Sequence, residues 1–160
     1  MKVRVLWFGR PSATPFAEQV ETYRSRVDRR WSAIDRALRP TAGGRGADPK
    51  RALLAEAELV RRQLPDGWSL VVLDEAGDRL TSVGFANWLG ALEDRGAPGV
   101  VLVVGSDLGL DAELRMGADR RVSLGAMTWP HQLARLMLWE QLFRATSILG
   151  GGGYHRLRVQ

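Results

Sequence analysis

The sequence predicts a single α/β domain with a mostly parallel sheet flanked by helices, and three features indicate it. Short apolar segments at residues 3–8, 69–73 and 100–104 have the length and composition of buried strands. Segments with apolar residues at helical spacing alternate with them, which favours parallel strands joined by crossover helices. The chain of 160 residues is long enough for one domain with a real core and too short for two ordinary ones.

The first half of the chain predicts two strands and two helices. The strand at residues 3–8 is followed by a helix whose apolar residues recur at helical spacing. A second strand spans residues 31–38, because the proline that closes it disfavours a helix just before it. Asp48 is the expected N-cap of the next helix, with Pro49 at its first position. The residues of that helix expected in the core are Leu53, Leu54, Ala57 and Val60.

The second half continues the alternation of strands and helices. Thr81 or Ser82 is expected to cap a helix that ends near residue 96, and Gly109 or Asp111 a much shorter one. The expected strands span residues 69–73, 100–104 and 121–124.

The last predicted helix, residues 129–149, is apolar around most of its circumference. A helix of this kind is buried on more than one side. We therefore expect one side to pack on the sheet and the other to contact a second subunit. Its polar exceptions form two pairs four residues apart, His131 with Arg135 and Glu140 with Arg144. The second pair is expected to be an ion pair that holds the interface.

Two loops of small residues are expected near one edge of the sheet. The glycine turn at residues 105–109 follows a buried strand, and residues 124–128 lead into the last helix. Open α/β sheets bind ligands at the carboxyl ends of their strands, so the two loops predict a pocket walled mostly by backbone. The glycine turn is neither a P-loop nor a dinucleotide fingerprint. Asp74 and Glu75, after an adjacent strand, are either carboxylates that hold a ribose or act as a base, or a solvated turn.

Composition excludes several classes of site. The chain has no cysteine, which rules out disulfides, a thiolate zinc site and a cysteine nucleophile, and which fits a cytosolic enzyme. The two histidines lie far apart in sequence, so no metal-binding spacing is present, and no serine has a histidine at hydrolase spacing. No uncharged stretch is long enough to span a bilayer.

Charge and the C-terminal tail both point toward a nucleic acid. The net charge of +5 suits a polyanionic partner, although the coding bias of a GC-rich genome also enriches arginine. Residues 41–46 are either a basic phosphate-contacting loop or a solvated linker. Tyr154, His155 and Arg156 follow four glycines, and these side chains suit stacking on and contacting an unpaired nucleotide. The alternative is a frayed C-terminus.

Several segments, in this order and spacing, carry a family resemblance that extends over essentially the whole chain. They are residues 70–74 (LVVLD) with Gly77, residues 103–105 (VVG) with Gly109, residues 123–131 (SLGAMTWPH), residues 140–145 (EQLFRA) and residues 154–156 (YHR). Together they resemble the bacterial large-subunit ribosomal RNA methyltransferases that modify N3 of a pseudouridine, the RlmH type within the SPOUT superfamily. The run at residues 123–131 is the most specific of these segments.

The resemblance implies a fold, a cofactor and a substrate. The fold is a SPOUT-like α/β domain with a C-terminal trefoil knot, an exception to the rule against threaded loops. The resemblance further implies a homodimer in the cytoplasm, without metal or membrane, that uses S-adenosylmethionine to methylate N3 of a pseudouridine in 23S ribosomal RNA on the assembled ribosome. The cofactor-binding residues implied by position are Leu73, Gly105, Leu124, Gly125, Ala126, Met127, Thr128 and Trp129.

The resemblance also implies that the active site is shared between subunits. The tail of one subunit, residues 150–160, completes the partner's site, with Tyr154, His155 and Arg156 as the catalytic residues. Arg135 and Arg144 are expected to hold RNA phosphates or the dimer rather than to do chemistry.

Two departures and two alternatives qualify the expectation. Ser106 stands where the family usually has a second glycine, and Gly153 stands where it usually has proline. The alternatives are a SPOUT-like methyltransferase of another RNA, such as tRNA, and a non-catalytic RNA-binding or ribosome-associated module.

Overall fold

The structure is a computed structural model that describes residues 1–11, 14–39 and 48–156. The side chains of residues 155 and 156 and the expected loop at residues 41–46 lie outside the described part. The strands are β1 (Lys2–Phe8), β2 (Ser32–Leu38), β3 (Ser69–Asp78), β4 (Gly99–Val104) and β5 (Arg120–Val122). The helices are α1 (Ala17–Val27), α2 (Pro49–Arg61), α3 (Ser82–Asp94), α4 (Ala112–Met116) and α5 (His131–Leu149), followed by a 3-10 turn at Gly153–Arg156.

The five strands form one sheet in the order β2-β1-β4-β3-β5, and every pairing is parallel. This confirms the predicted parallel α/β fold. The central strand β4 is buried along its whole length, as its continuous apolar run predicts. Because the strands are parallel, the loops that follow β3, β4 and β5 emerge at the same edge of the sheet. The trefoil knot implied by the resemblance stays a prediction.

Helices cover both faces of the sheet, and alternate strand residues point into two separate cores. Val100, Leu102 and Val104 of β4 face the core that contains α1, α3 and α5. Val101 and Val103 face the smaller core under α2 and α4. Helix α5 contacts both α1 and α3, so its neighbours within the chain account for much of its apolar circumference.

The helix caps agree with the sequence. The Asp48 carboxylate accepts a hydrogen bond from the backbone N–H of Lys50 at 3.0 Å, as expected for the N-cap of α2. Of the alternatives at the other two helices, the structure selects Thr81 and Asp111. The Thr81 hydroxyl accepts from Gly84 N–H and the Asp111 carboxylate from Leu114 N–H, both at 3.0 Å.

The predicted core face of α2 is partly wrong. Leu54 is 44% exposed, whereas Ala52 and Glu56 are buried together with Ala57 and Val60. The buried row is therefore Ala52, Glu56 and Val60 at a spacing of four residues, which is one face of a helix. The apolar pattern alone misplaces this face, because a buried carboxylate occupies one of its positions.

Strand β3 is longer than predicted. Residues 74–78 continue the strand past an irregularity, although the sequence suggested a turn as one alternative for Asp74 and Glu75, and Asp78 pairs with Val122 of β5. A Cβ atom on Gly77 would lie 2.7 Å from the backbone carbonyl carbon of Arg121, so only glycine fits this close approach. Strand β5 is correspondingly shorter at its carboxyl end and stops at Val122.

No helix in the described ranges is long and apolar enough to cross a membrane.

Candidate active site

A cavity of about 680 Å³ opens at the carboxyl ends of β3, β4 and β5, within the size range of small-molecule sites. The predicted pocket between two loops is confirmed, since both the glycine turn and the loop before α5 line it. Seven of the eight residues predicted to bind a cofactor are among its lining residues: Leu73, Gly105, Leu124, Gly125, Met127, Thr128 and Trp129. Ala126 belongs to the same loop but is exposed and does not line the cavity.

The glycine turn is closed by its own backbone and anchored by Ser106. The N–H of Gly109 donates to the carbonyl of Ser106 at 2.9 Å. The Ser106 hydroxyl donates to the buried Glu56 carboxylate at 2.8 Å and accepts weakly from Leu108 N–H at 3.3 Å. Ser106, which stands where the resemblance expects a glycine, thus ties the turn to the buried Glu56 of helix α2.

The second wall of the cavity is the loop between β5 and α5. The buried Ser123 hydroxyl donates to the carbonyl of Gly125 at 2.9 Å and accepts from its N–H at 3.2 Å. Gly125 has a φ of 142°, a conformation that favours glycine. Met127 and Trp129 are large apolar side chains that remain exposed at the cavity. Exposed apolar groups at a cavity commonly mark a binding surface.

His131, the first residue of α5, pairs with Asp107 of the glycine turn. Its Nδ1 atom lies 2.7 Å from Asp107 Oδ1, and both residues line the cavity. The contact joins the two walls. The predicted pairing of His131 with Arg135 is wrong, because each of these residues has a partner outside α5.

Arg135 lies inside the molecule. Its guanidinium donates from Nε and Nη2 to the two carboxylate oxygens of Asp35, at 3.0 and 2.5 Å, and its side chain is only 6% exposed. It also lies over the ring of Trp7, with 3.9 Å between Cζ and the ring centroid. Little of the Arg135 side chain is exposed in this conformation, and a contact with an RNA phosphate or with the partner subunit stays a prediction.

Asp74 is a buried member of the cavity wall. Its side chain is 6% exposed and lies 3.7 Å from Arg115 Nη1 and 3.6 Å from Arg121 Nη1. The expectation of a solvated turn is therefore wrong for Asp74, whereas the neighbouring Glu75 is exposed.

The beginning of the C-terminal tail packs against α5 of its own chain. The Tyr154 ring lies 4.6 Å from the ring of Phe143, and its hydroxyl donates to Glu140 at 3.1 Å. The predicted ion pair between Glu140 and Arg144 is confirmed, and the Arg144 guanidinium covers the Tyr154 ring with Cζ 4.8 Å from its centroid. Tyr154 is not among the residues that line the cavity. A single chain therefore does not bring the expected catalytic tyrosine to the expected cofactor residues.

Similarity to known proteins decides the family. A family model described as "Predicted SPOUT methyltransferase" matches residues 1–155. A protein of Ruegeria pomeroyi is 42% identical over 158 residues, covering 98% of this chain and all of its own length. A protein of Rhodopseudomonas palustris is 41% identical over 159 residues, which cover 98% of this chain and 99% of that protein. A protein of a Jannaschia species is 53% identical over 107 residues, which cover 66% of this chain and 76% of that protein. All three are named "Ribosomal RNA large subunit methyltransferase H".

The chain belongs to the SPOUT methyltransferase family. As a SPOUT methyltransferase it requires a methyl donor. Across the described residues, no group of three or more His, Cys, Asp or Glu side chains is arranged to hold a metal ion.

Two polar pairs of this SPOUT methyltransferase were not predicted from the sequence. His131 and Asp107 are 24 residues apart, and Arg135 and Asp35 are 100 residues apart. No local pattern connects residues at such separations. A usable signal was the presence of charged residues on a helix that is otherwise apolar all round, because buried charges require partners.

We expect Tyr154, the tyrosine in the tail, to make the stability of this SPOUT methyltransferase pH-dependent in alkaline solution. Burial, followed by hydrogen bonding with Tyr23 and the nearby Glu140 carboxylate, raises the pKa of Tyr154 from 10.0 to about 12. The folded state therefore holds this proton where the unfolded state has released it. We expect the free energy of unfolding to fall as pH rises from about 10 to about 12.

The measurement is denaturant unfolding across this pH range, together with the ultraviolet absorbance of tyrosinate. Tyr154→Phe keeps the ring and should remove this contribution and the late absorbance step, leaving Tyr23 as the remaining tyrosine. If the variant and the parent protein lose stability in parallel, the tail does not protect the Tyr154 proton.

Proposed function

We propose that this protein transfers a methyl group from S-adenosylmethionine to N3 of a pseudouridine in 23S ribosomal RNA on the assembled ribosome, in the cytoplasm. The observation that carries the proposal is the cavity between the glycine turn and the loop before α5, which contains seven of the eight residues implied for that cofactor. The names of the similar proteins support a large-subunit ribosomal RNA as the substrate.

The residues present fit S-adenosylmethionine. The cavity volume of about 680 Å³ suits a nucleoside joined to an amino acid. A Cβ atom on Gly105 would lie 2.8 Å from the carbonyl oxygen of Gly109, so the turn closes tightly and leaves backbone to face the ligand. Leu73 and Leu124 supply apolar wall for the adenine. When bound, the cofactor supplies an electrophilic methyl group.

The role of the chain is to align the methyl group with the attacking nitrogen and to remove the N3 proton. Alignment of the reacting atoms contributes much of the rate in such a transfer. The tail of one subunit would hold the target base in the partner's cavity, with Tyr154 or His155 orienting the base or relaying its proton and Arg156 binding a backbone phosphate. The half-buried apolar residues of α5 supply contact surface for this homodimer: Leu133, Leu136, Met137, Phe143, Ile148 and Leu149.

Arg144 remains a candidate for an RNA or interface contact. Pairing with Glu140 satisfies part of its guanidinium, and that hydrogen bond raises its pKa, which secures the positive charge. The side chain is partly exposed, unlike that of Arg135.

The test is transfer of labelled methyl from S-adenosylmethionine to ribosomes from cells that lack the activity. The modified nucleoside is then mapped by mass spectrometry. We expect methyl on N3 of a pseudouridine in 23S RNA. Cofactor binding without ribosome methylation would indicate another RNA such as tRNA, and absence of cofactor binding would indicate a non-catalytic RNA-binding module.

Changes in the tail test its catalytic role. We expect Tyr154→Phe combined with His155→Ala to slow single-turnover methylation by about 10²-fold or more, the usual contribution of a positioned proton-transfer group. Binding of S-adenosylhomocysteine should be largely kept, because in the proposed site Tyr154 and His155 contact the target base and not the cofactor. Single-turnover rates equal to those of the parent would reduce the tail to a structural element.

A mixing experiment tests whether the site is shared. The tail variant is co-expressed with a variant whose cavity is blocked, Gly105→Val. In a site shared between subunits, mixed dimers contain one intact site, and random pairing restores about a quarter of the parent activity. Activity that stays at the level of the separate variants would contradict a site completed by the partner's tail.

A further inference from the structure

We propose that Asp74 binds the ribose hydroxyls of the adenosine-containing methyl donor. The inference rests on the proposed function, since it assigns a new residue within the same cavity. It follows from a buried carboxylate oxygen that the protein leaves without a hydrogen bond.

The carboxylate of Asp74 is held in place by one of its oxygens. Oδ1 accepts a hydrogen bond from the N–H of Ala76 at 3.1 Å. Asp74 follows Leu73 directly, so it stands at the end of the regular pairing between β3 and β5, on the cavity wall. A fixed carboxylate of this kind is suited to recognition, because it needs no rearrangement when a ligand arrives.

The other oxygen is buried without a partner. Oδ2 has no hydrogen-bond partner among the described residues. Arg115 and Arg121 balance its charge from 3.7 and 3.6 Å, but these distances are too long for hydrogen bonds. Buried polar atoms in folded proteins nearly always have a partner, so the unpaired oxygen indicates a ligand.

A second unpaired atom lies in the same wall. The Nε–H of Arg115 is also buried without a hydrogen-bond partner in the described part of the chain, and Arg115 lines the cavity. It belongs to the guanidinium that faces Asp74. The pair therefore consists of an acceptor and a donor on neighbouring groups. A hydroxyl both donates and accepts, so a sugar diol satisfies the two together, and its bond to a carboxylate is of the strong, charge-assisted kind.

The amino acid part of the donor offers the main competing partner. Its ammonium group also donates to carboxylates, but it accepts nothing, so it leaves Arg115 Nε unpaired. If Asp74 contacts the ribose, its loss weakens every ligand with a ribose; if it contacts the ammonium group, its loss weakens only ligands with the amino acid part. Methylthioadenosine has the ribose and lacks the amino acid, and it therefore separates the two cases.

The experiment measures the dissociation constants of S-adenosylhomocysteine and methylthioadenosine by calorimetry. We expect Asp74→Asn to weaken both ligands by about tenfold or more, since a charge-assisted bond is lost. A 3′-deoxy or 2′-deoxy analogue of methylthioadenosine should bind the parent protein more weakly and should be much less sensitive to Asp74→Asn. The analogues keep the test valid even if the variant folds poorly.

A matched control is Asp78→Asn. Asp78 lies on the same strand and pairs with an arginine, Arg120, at 3.0 Å, but it does not line the cavity. The Asp78→Asn variant should bind both ligands with the affinity of the parent protein. Loss of S-adenosylhomocysteine affinity alone in Asp74→Asn would assign Asp74 to the ammonium and overturn the proposal. Unchanged affinity for both ligands would overturn it as well, while leaving the proposed function intact. Failure of the parent protein to bind either ligand would overturn both.

Discussion

Replacement of Asp35 by alanine is expected to lower the free energy of unfolding by about 3–5 kcal/mol, the usual cost of leaving a buried charge without its partner. Asp35 accepts four hydrogen bonds. Two come from Arg135, one from the indole N–H of Trp7 at 2.9 Å, and one from the indole N–H of Trp139 at 2.7 Å. The variant removes the carboxylate that pairs with the Arg135 guanidinium, which keeps its hydrogen bond to Gln132, and it leaves two indole N–H donors without their acceptor.

The cost is large because the cluster joins distant parts of the fold. Asp35 lies on the edge strand β2, Trp7 on β1, and Arg135 and Trp139 on α5. The side chain of Arg135 is 6% exposed, so water cannot replace the lost carboxylate without opening the core.

Urea unfolding at neutral pH measures the effect. The matched control is Glu58→Ala, which removes an exposed carboxylate that pairs with Arg62 at 3.2 Å, and which should cost about 1 kcal/mol or less. The double variant Asp35→Leu with Arg135→Met should be more stable than Asp35→Ala, because it removes both charges together. An Asp35→Ala variant as stable as the control would mean that the cluster contributes little to folding.

The strands and helices were predictable wherever neighbouring residues in the chain determine them. A continuous apolar run predicts β4, and a capping residue predicts the start of α2 at Pro49. These features depend on residues that are neighbours in the chain. The core face of α2 was misjudged, because it includes the buried Glu56, whose carboxylate accepts a hydrogen bond from Ser106, fifty residues away. Local periodicity does not record such a contact.

In the candidate site, too, local features were predictable and contacts between distant residues were not. The loops that form its walls were predictable from their glycines and from the parallel strand pattern. Seven of the eight residues that the family resemblance implied for the cofactor line the cavity, and their binding of the cofactor stays a prediction. The polar contacts of Asp74 and His131 were not predictable, because their partners lie on other elements. The role of the tail stays a prediction, since Tyr154 packs against its own helix and the partner subunit would have to supply the rest of the site.

Substitution of Gly105 by alanine is expected to weaken S-adenosylhomocysteine binding by about tenfold or more, which corresponds to about 1.4 kcal/mol. Gly105 is the first residue after β4 and lines the cavity. An added Cβ atom would lie 2.8 Å from the carbonyl oxygen of Gly109 and 3.0 Å from its carbonyl carbon. Both are backbone atoms, so the clash cannot be relieved by rotation of a side chain.

The turn must open for the alanine to fit, and that moves the cavity wall. The hydrogen bond from Gly109 N–H to the Ser106 carbonyl would stretch. The hydrogen bond from the Ser106 hydroxyl to Glu56 holds the start of the turn in place. The strain therefore falls on the part of the loop that faces the ligand. Gly105→Val should have a larger effect in the same direction.

Calorimetric titration with S-adenosylhomocysteine checks this, with thermal unfolding as a measure of folding. Gly84→Ala is the matched control, because Gly84 lies in α3, does not line the cavity, and an added Cβ would meet only the Thr81 hydroxyl, at 3.3 Å. It should bind as the parent does. Equal affinity of Gly105→Ala and Gly84→Ala would show that the glycine turn does not shape the cofactor site. Weaker binding in Gly105→Ala with little loss of stability would assign the glycine to ligand binding rather than to folding.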